Sequence, residues 1–143
     1  MSVLVGYDTT AASVQAILAA ADEARRRGVA LHILWHQEHD PGDSPVRVRA
    51  EVSEGESADE QLEKLANTLN DSGVETDIEV QHGFHGGAAE AILAAADRLD
   101  AELIVLGLRP RPTIEKVLMG SVARTVMREA PCPVLTVKAD TAR

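Results

Sequence analysis

Short apolar runs alternate along the chain with longer stretches whose apolar residues recur at helical spacing. This alternation restricts the fold strongly, because a strand that returns parallel to its predecessor through a helix needs a crossover connection. Such crossovers are right-handed and cover a parallel sheet with helices on both faces. The sequence therefore predicts an α/β fold built on a doubly wound, five-stranded parallel sheet.

The apolar runs differ in a way that predicts their places in the sheet. The first run, VLV, is wholly apolar, as in a strand buried on both faces, whereas the third alternates with acidic residues, as at a sheet edge. These features favour the Rossmann-like strand order 3-2-1-4-5, in which ligands bind beyond the strand carboxyl ends, between strands one and four. The five predicted strands are Val3–Val5, Leu31–Trp35, Val74–Val80, Leu103–Leu106 and Val134–Val137.

Capping residues mark the predicted helices. The first helix runs from about Thr10 to Arg27 and places Ile17 and Leu18 on its buried side. Ser57 with Glu60 has the spacing of a capping box and opens the second helix. The polar stretch 37–56 lacks periodicity and is interpreted as a mobile loop within a single domain, 1–143.

Charge and cysteine content exclude several classes of function. A formal net charge of -9 argues against binding to nucleic acid or to an anionic membrane surface. The single cysteine, Cys132, excludes an internal disulfide, and neither it nor the histidine spacing indicates a metal site. The start of the chain has no basic region and only a short apolar run, so we expect a cytoplasmic protein without a signal peptide.

The segment Gly107–Ser121, GLRPRPTIEKVLMGS, is the main indication of function. It follows a short apolar strand, and its Gly-Ser pair opens a helix. A glycine lets a ligand approach the main chain, and the first amides of a helix, together with its dipole, bind anions. The segment therefore predicts a phosphate site, and the ligand is expected to be a nucleotide.

Three motifs resemble the universal stress protein family over nearly the whole chain. The opening VGYD followed by two threonines is similar to that family's first strand, and PCPVLTVK is similar to its last. Nucleotide-binding members carry Gly, two residues, Gly, nine residues, Gly, then Ser or Thr. Here Gly107, Gly120 and Ser121 keep this spacing, while Pro110 replaces the second glycine.

The resemblance implies that ATP or a related adenine nucleotide, with Mg²⁺, is the ligand. It implies that Asp8, with Thr9 beside it, recognises adenine or ribose, and that the main chain near His36 contacts adenine. Gly107 would admit the ribose and the first phosphates, while the segment Gly120, Ser121 and Val122 would bind the distal phosphates.

Two further features follow from the motif and from the last strand. Proline has no N–H to donate, and the charge of Arg109, beside Pro110, can replace the lost contact. The fifth strand has apolar residues on both faces although it lies at an edge, which favours a homodimer, a mode that the resemblance also implies. The residues of that interface are Val134, Leu135 and Val137.

Other interpretations of the same residues stay open. Asp8 can simply cap the first helix, and Gly120 with Ser121 can be an ordinary helix start. A family member that binds no nucleotide and acts through its dimer surface is therefore the second hypothesis. No Ser-His-Asp arrangement, suitably spaced carboxylate pair or Walker lysine is present, so we expect at most slow, incidental ATP hydrolysis.

Overall fold

The computed structural model describes residues 1–37, 57–82, 87–108 and 120–138. Every strand pair in the sheet is parallel, and the order is β3-β2-β1-β4-β5, which confirms the predicted fold class and topology. Of the loop predicted over 37–56, residue 37 is the last residue of β2 and the rest lies outside the described residues. The elements are β1 (Ser2–Tyr7), α1 (Ala11–Arg27), β2 (Ala30–Gln37), α2 (Ala58–Asp71), β3 (Thr76–His82), α3 (Gly87–Arg98), β4 (Ala101–Leu108), α4 (Ser121–Glu129) and β5 (Val134–Lys138).

Two apolar layers sandwich the sheet. On one face, α1 and α2 pack over side chains such as Val5 and Ile33, and on the other face α3 and α4 pack over Leu4 and Ile104. Alternate residues of β1 enter opposite layers, so this central strand has to be apolar throughout. The sequence prediction for Leu18 is wrong, because its side chain is 48% exposed.

The buried side of α1 is a stripe of small residues. Ala16, Ala20 and Ala24 recur at the spacing of one helical face and are fully buried. Leu18 lies about 100° around the helix from Ile17, and this step carries it off the buried face. Alanines let the helix axis approach the sheet closely. At the start of α1, the main chain of Ala12 therefore lies against Gly107 of β4.

Side-chain hydroxyls cap the first two helices. Thr10 accepts a hydrogen bond from Ser13 N over 3.2 Å, and Ser57 accepts one from Glu60 N over 3.3 Å, which confirms the predicted cap at Ser57. Gly28 ends α1 in the left-handed conformation with a φ of 69°. Both helix starts are therefore capped by the side chain of their N-cap residue, whereas the N-cap residue of α4 is a glycine.

An ion-pair network ties the edge strand β3 to α3. Arg98 Nη2 donates to both carboxylate oxygens of Glu79, at 2.7 and 2.8 Å, and Gln81 Nε2 donates to Glu79 Oε2 at 2.7 Å. Burial alone would raise the pKa of Glu79, but the hydrogen bonds from Gln81 and Arg98, with the charges of Arg98 and His32, outweigh it. The pKa therefore lies below its ordinary value of 4.5.

We expect Glu79→Gln to lower the free energy of unfolding by about 0.5–1 kcal/mol at neutral pH, the size typical of partly exposed ion pairs. A carboxyl group whose pKa is lower in the folded state than in the unfolded state stabilises the native state at pH values above the unfolded-state pKa. This contribution disappears as the pH falls through the folded-state pKa. Urea denaturation should therefore separate the two proteins at neutral pH but not in acid well below 4.5. An equal difference at both pH values would contradict this assignment.

Candidate functional site

A cleft of about 330 Å³ opens where the carboxyl ends of β1, β2 and β4 meet the starts of α3 and α4. This is the position that the strand order predicts, where the winding of the sheet reverses between β1 and β4. The cleft is lined by Gly6, Tyr7, Asp8, Ser13, Leu34, His36, Ala88, Ile92, Leu106, Gly107, Leu108, Gly120, Ser121, Val122 and Ala123.

The turn between β1 and α1 is held by a local hydrogen-bond network. Asp8 Oδ1 accepts from the main-chain N of Thr10 over 3.1 Å and also from the Thr10 hydroxyl. Ser13 Oγ donates to Thr10 O over 2.8 Å and accepts from Asp8 N over 3.3 Å. Thr9, between these residues, takes a left-handed φ of 68°. Thr10 is thus the cap of α1, and Asp8 fixes the turn that carries this cap while also lining the cleft.

Gly107 has a structural role of its own. A β-carbon at this position would lie 2.5 Å from Ala12 O and 2.9 Å from Ser13 N, so any side chain would collide with the main chain of α1. A β-carbon at Gly6 would approach only the ends of flexible side chains, Leu106 Cδ2 at 3.3 Å and Ile92 Cδ1 at 3.4 Å. The glycine at 107 is therefore required for β4 and α1 to pack, whether or not a ligand is bound.

The start of α4 differs from the starts of α1 and α2. Its N-cap is Gly120, which makes no side-chain hydrogen bond, and the first main-chain bond within the helix runs from Arg124 N to Gly120 O over 3.1 Å. The amides of Ser121, Val122 and Ala123 therefore have no acceptor within the helix. All three residues line the cleft, where an anion would find these donors and the positive end of the helix dipole.

Charged groups are scarce in the cleft. Within the described lining, Asp8 is the only acidic side chain, and there is no lysine or arginine. Burial, followed by the charges of Asp8 and Asp59, raises the pKa of Tyr7 above its ordinary value of 10.0, so its hydroxyl stays a hydrogen-bond donor. Among the described residues, anion binding therefore depends on main-chain amides rather than on cationic side chains.

The end of the cleft at β2 is apolar apart from one imidazole. Leu34 of β2 is buried at this end, and the buried side chains of Ile92 and Leu106 continue the apolar lining toward the middle of the cleft, beside Gly6. His36 is half-buried at this end, and its Nδ1 is enclosed without a hydrogen-bond partner among the described residues. The cleft thus offers an apolar slot at one end and helix amides at the other.

The structure brings most of the predicted site residues together. Thr9 is exposed and does not line the cleft, and Arg109 and Pro110 lie outside the described residues. The predicted residues that line the cleft are Asp8, His36, Gly107, Gly120, Ser121 and Val122. Ser13 and the apolar lining were not predicted from the sequence. Two signals could have found them, since Ser13 lies three residues beyond the cap of α1 and Leu34 shares the face of His36 by strand alternation.

The described residues contain neither a membrane-spanning helix nor a cluster of metal-binding side chains. No helix within them has both the length and the apolar character needed to cross a membrane. In the same residues, no three histidine, cysteine, aspartate or glutamate side chains are grouped closely enough to hold a metal ion.

Comparison with known proteins gives consistent matches along the chain. The family model described as Universal stress protein family matches residues 1–138. A universal stress protein from Mycolicibacterium smegmatis is 37% identical over 136 residues, which is 95% of this chain and 96% of that protein.

Solved structures match the fold over similar lengths. A universal stress protein from Archaeoglobus fulgidus in complex with dAMP has a TM-score of 0.67 and 26% identity, and the match covers 96% of this chain and 98% of that one. A universal stress protein in complex with cAMP has a TM-score of 0.63 and 25% identity, with 98% of both chains covered. Taken with the sheet order and the cleft, these matches show that the chain belongs to the universal stress protein family.

Proposed function

We propose that this protein is a stress-response or signalling module that binds ATP or a related adenine nucleotide in the cleft between β1 and β4. The observation that carries the proposal is the start of α4, where three cleft-lining amides lack an acceptor within the helix and the N-cap residue, Gly120, has no side chain that could cap them. Helix starts of this kind bind phosphate groups.

The two ends of the cleft give the nucleotide a direction. Phosphates at the amides of Ser121 and Val122 leave the base at the apolar end, beside Leu34 and His36. The strands β2 and β4 are separated by β1, so two strand spacings, roughly 10 Å, lie between these ends. The ribose would then lie over the middle of the sheet, near Asp8.

Mg²⁺ would enter with the nucleotide. This ion is usually held by substrate phosphates, waters and one or two carboxylates. The described lining supplies one carboxylate, Asp8, and its Oδ1 already accepts two hydrogen bonds from Thr10. The residues therefore fit an ion held chiefly by phosphates, and they do not form a preformed metal cage.

The solved relatives support this choice of ligand. One structure holds dAMP and another holds cAMP, and both match nearly the whole of this chain. The shared chemistry is an adenine base with a phosphate group. We propose ATP for this chain because the motif from Gly107 to Ser121 retains two of the family's three glycines, Gly107 and Gly120, although Pro110 replaces the other.

Titration with MgATP tests the proposal. Trp35 is the only tryptophan, is 9% exposed and contacts Tyr7 edge to face with a centroid distance of 5.1 Å. Because Tyr7 lines the cleft, bound nucleotide should change Trp35 emission. At a hundred times the dissociation constant, binding should add about 2.7 kcal/mol of stability, raising the melting temperature by roughly 5–10 °C. An unchanged emission and melting temperature at millimolar MgATP would contradict the proposal.

One observation favours a second candidate, a family member that binds no nucleotide and acts through protein contacts. The contact between the Gly107 position and Ala12 O explains this glycine without a ligand, so its presence alone is no proof of binding. Under this alternative, the uncapped start of α4 would be satisfied by water or by a protein partner.

Both candidates include a homodimer through β5. This strand is an edge of the sheet, Leu135 on it is 38% exposed, and Val134 and Val137 are half-buried. Edge strands with apolar side chains pair readily with another chain. We expect sedimentation equilibrium to give a dimer at micromolar concentration, and Leu135→Lys to shift it to monomer. A monomeric unsubstituted protein at that concentration would exclude this interface.

A further inference from the structure

The imidazole of His36 has an unusual hydrogen-bond state. Its Nδ1 is enclosed and has no partner among the described residues, although the residue as a whole is only half-buried. An enclosed N–H without an acceptor is rarer and costlier than an enclosed lone pair. Of the two neutral tautomers of an imidazole, the one protonated on Nε2 avoids burying an N–H without an acceptor. In that tautomer, the hydrogen-bond donor of His36 lies on the distal edge of the ring.

The position of His36 determines which part of a bound nucleotide this donor can contact. The residue lines the cleft at the end of β2, on the side of β1 opposite to β4 and α4. With phosphates at α4, the base lies among Leu34, Ile92 and His36. The apolar side chains can pack against the flat faces of a base, but they offer nothing to its polar edge. Of the described residues that line this end, His36 is the one whose side chain can form a hydrogen bond with that edge.

We propose that the Nε2–H of His36 donates a hydrogen bond to a ring nitrogen of the adenine base, which makes His36 a specificity-determining residue of the cleft. The inference rests on the proposed function, because it assumes that a nucleotide binds with its phosphates at α4. It assigns to the side chain a role beyond the main-chain contact that the family resemblance implies for this position. Adenine presents the acceptor nitrogens N1, N3 and N7, and guanine shares N3 and N7 but carries a hydrogen on N1. A donor facing N1 therefore favours adenine over guanine, whereas a donor facing N3 or N7 favours a purine over a pyrimidine.

Matched substitutions separate the two nitrogens of the ring. His36→Gln places an amide near the position of Nε2, His36→Asn places one near the position of Nδ1, and His36→Leu keeps bulk without a polar atom. Each protein is titrated with ATP and with its 1-deaza, 3-deaza and 7-deaza analogues, in which one ring nitrogen is replaced by C–H. Circular dichroism verifies that each variant is folded.

We expect one analogue to bind the unsubstituted protein and His36→Gln roughly five- to tenfold more weakly than ATP, the effect of one hydrogen bond. His36→Leu and His36→Asn should bind that analogue and ATP equally. The proposal is overturned if every analogue binds the unsubstituted protein as tightly as ATP, if the loss persists in His36→Leu, or if His36→Asn alone retains the discrimination.

Imidazole nitrogen NMR of the unsubstituted protein provides a test that needs no variant. A signal of protonated Nε2 and unprotonated Nδ1 at neutral pH supports the proposal, and the opposite tautomer overturns it. If the unsubstituted protein binds neither ATP nor any analogue, the proposed function itself fails. That outcome differs from retained ATP binding without discrimination among the analogues, which overturns only the role of His36.

Discussion

Replacing Gly107 by alanine is expected to lower the free energy of unfolding by about 3 kcal/mol, the upper part of the range for overpacked cores. The added β-carbon would lie 2.5 Å from Ala12 O, and no change of rotamer can relieve a contact between a β-carbon and a main-chain oxygen. Either α1 must move away from β4, or β4 must bend. Both changes would disturb the packing of Val105 and Ile17, which are fully buried between these elements.

Gly6→Ala is the matched control for this substitution. It adds the same methyl group to the neighbouring strand, but the nearest atoms are the ends of the Leu106 and Ile92 side chains, at 3.3 and 3.4 Å. These side chains can shift slightly, so we expect a loss below about 1 kcal/mol. Urea denaturation of the two variants without nucleotide gives the comparison. Similar losses for both variants would show that the close approach of β4 and α1 is not what requires Gly107.

Ser121→Pro is expected to weaken MgATP binding by roughly 10- to 100-fold, because it removes one main-chain donor to a charged phosphate, a contact worth about 1.5–3 kcal/mol. Proline is well tolerated at the first position of a helix, where its missing N–H has no acceptor within the helix. Gly120, just before it, has a φ of -59° and a ψ of 160°, the conformation that proline imposes on its predecessor. The helix should therefore form unchanged.

Ser121→Ala separates the amide from the hydroxyl. It removes the side-chain oxygen but leaves the N–H in place, so we expect at most a fewfold loss of affinity. Isothermal titration of both variants with MgATP, alongside circular dichroism, makes the comparison. Equal affinities for Ser121→Pro and the unsubstituted protein would mean that the phosphate does not contact this amide.

The architecture could be predicted well from the sequence because buried apolar residues recur along the chain with the period of the strand or helix that they belong to. Buried strands have to be apolar on both faces, and the contrast between the first strand and the third was enough to place β1 at the centre and β3 at an edge. Strand carboxyl ends then meet at one edge of the sheet. This is why Asp8 and Gly107, which are far apart in the chain, could be assigned to one cleft, whereas His36 was assigned to it only by the family resemblance.

The remaining features depend on contacts that no local pattern encodes. The contact of the Gly107 position with Ala12 joins residues far apart in the chain, and it supplies a reason for this glycine that the motif alone did not reveal. Leu18 was assigned to the wrong side of α1 because the buried face is made of alanines, which give a weak hydrophobic pattern. Thr9 was assigned to the site because it is next to Asp8 in the sequence. In the structure Thr9 is a turn residue with a left-handed φ, and it does not line the cleft.

The central claim is that the first amides of α4 bind the phosphates of an adenine nucleotide. Amide proton and nitrogen chemical shifts, measured during a titration with MgATP, test this claim residue by residue. The amides of Ser121, Val122 and Ala123 should show the largest shifts, which saturate together with smaller shifts at His36. Saturable shifts located elsewhere, with these three amides unchanged, would contradict this claim.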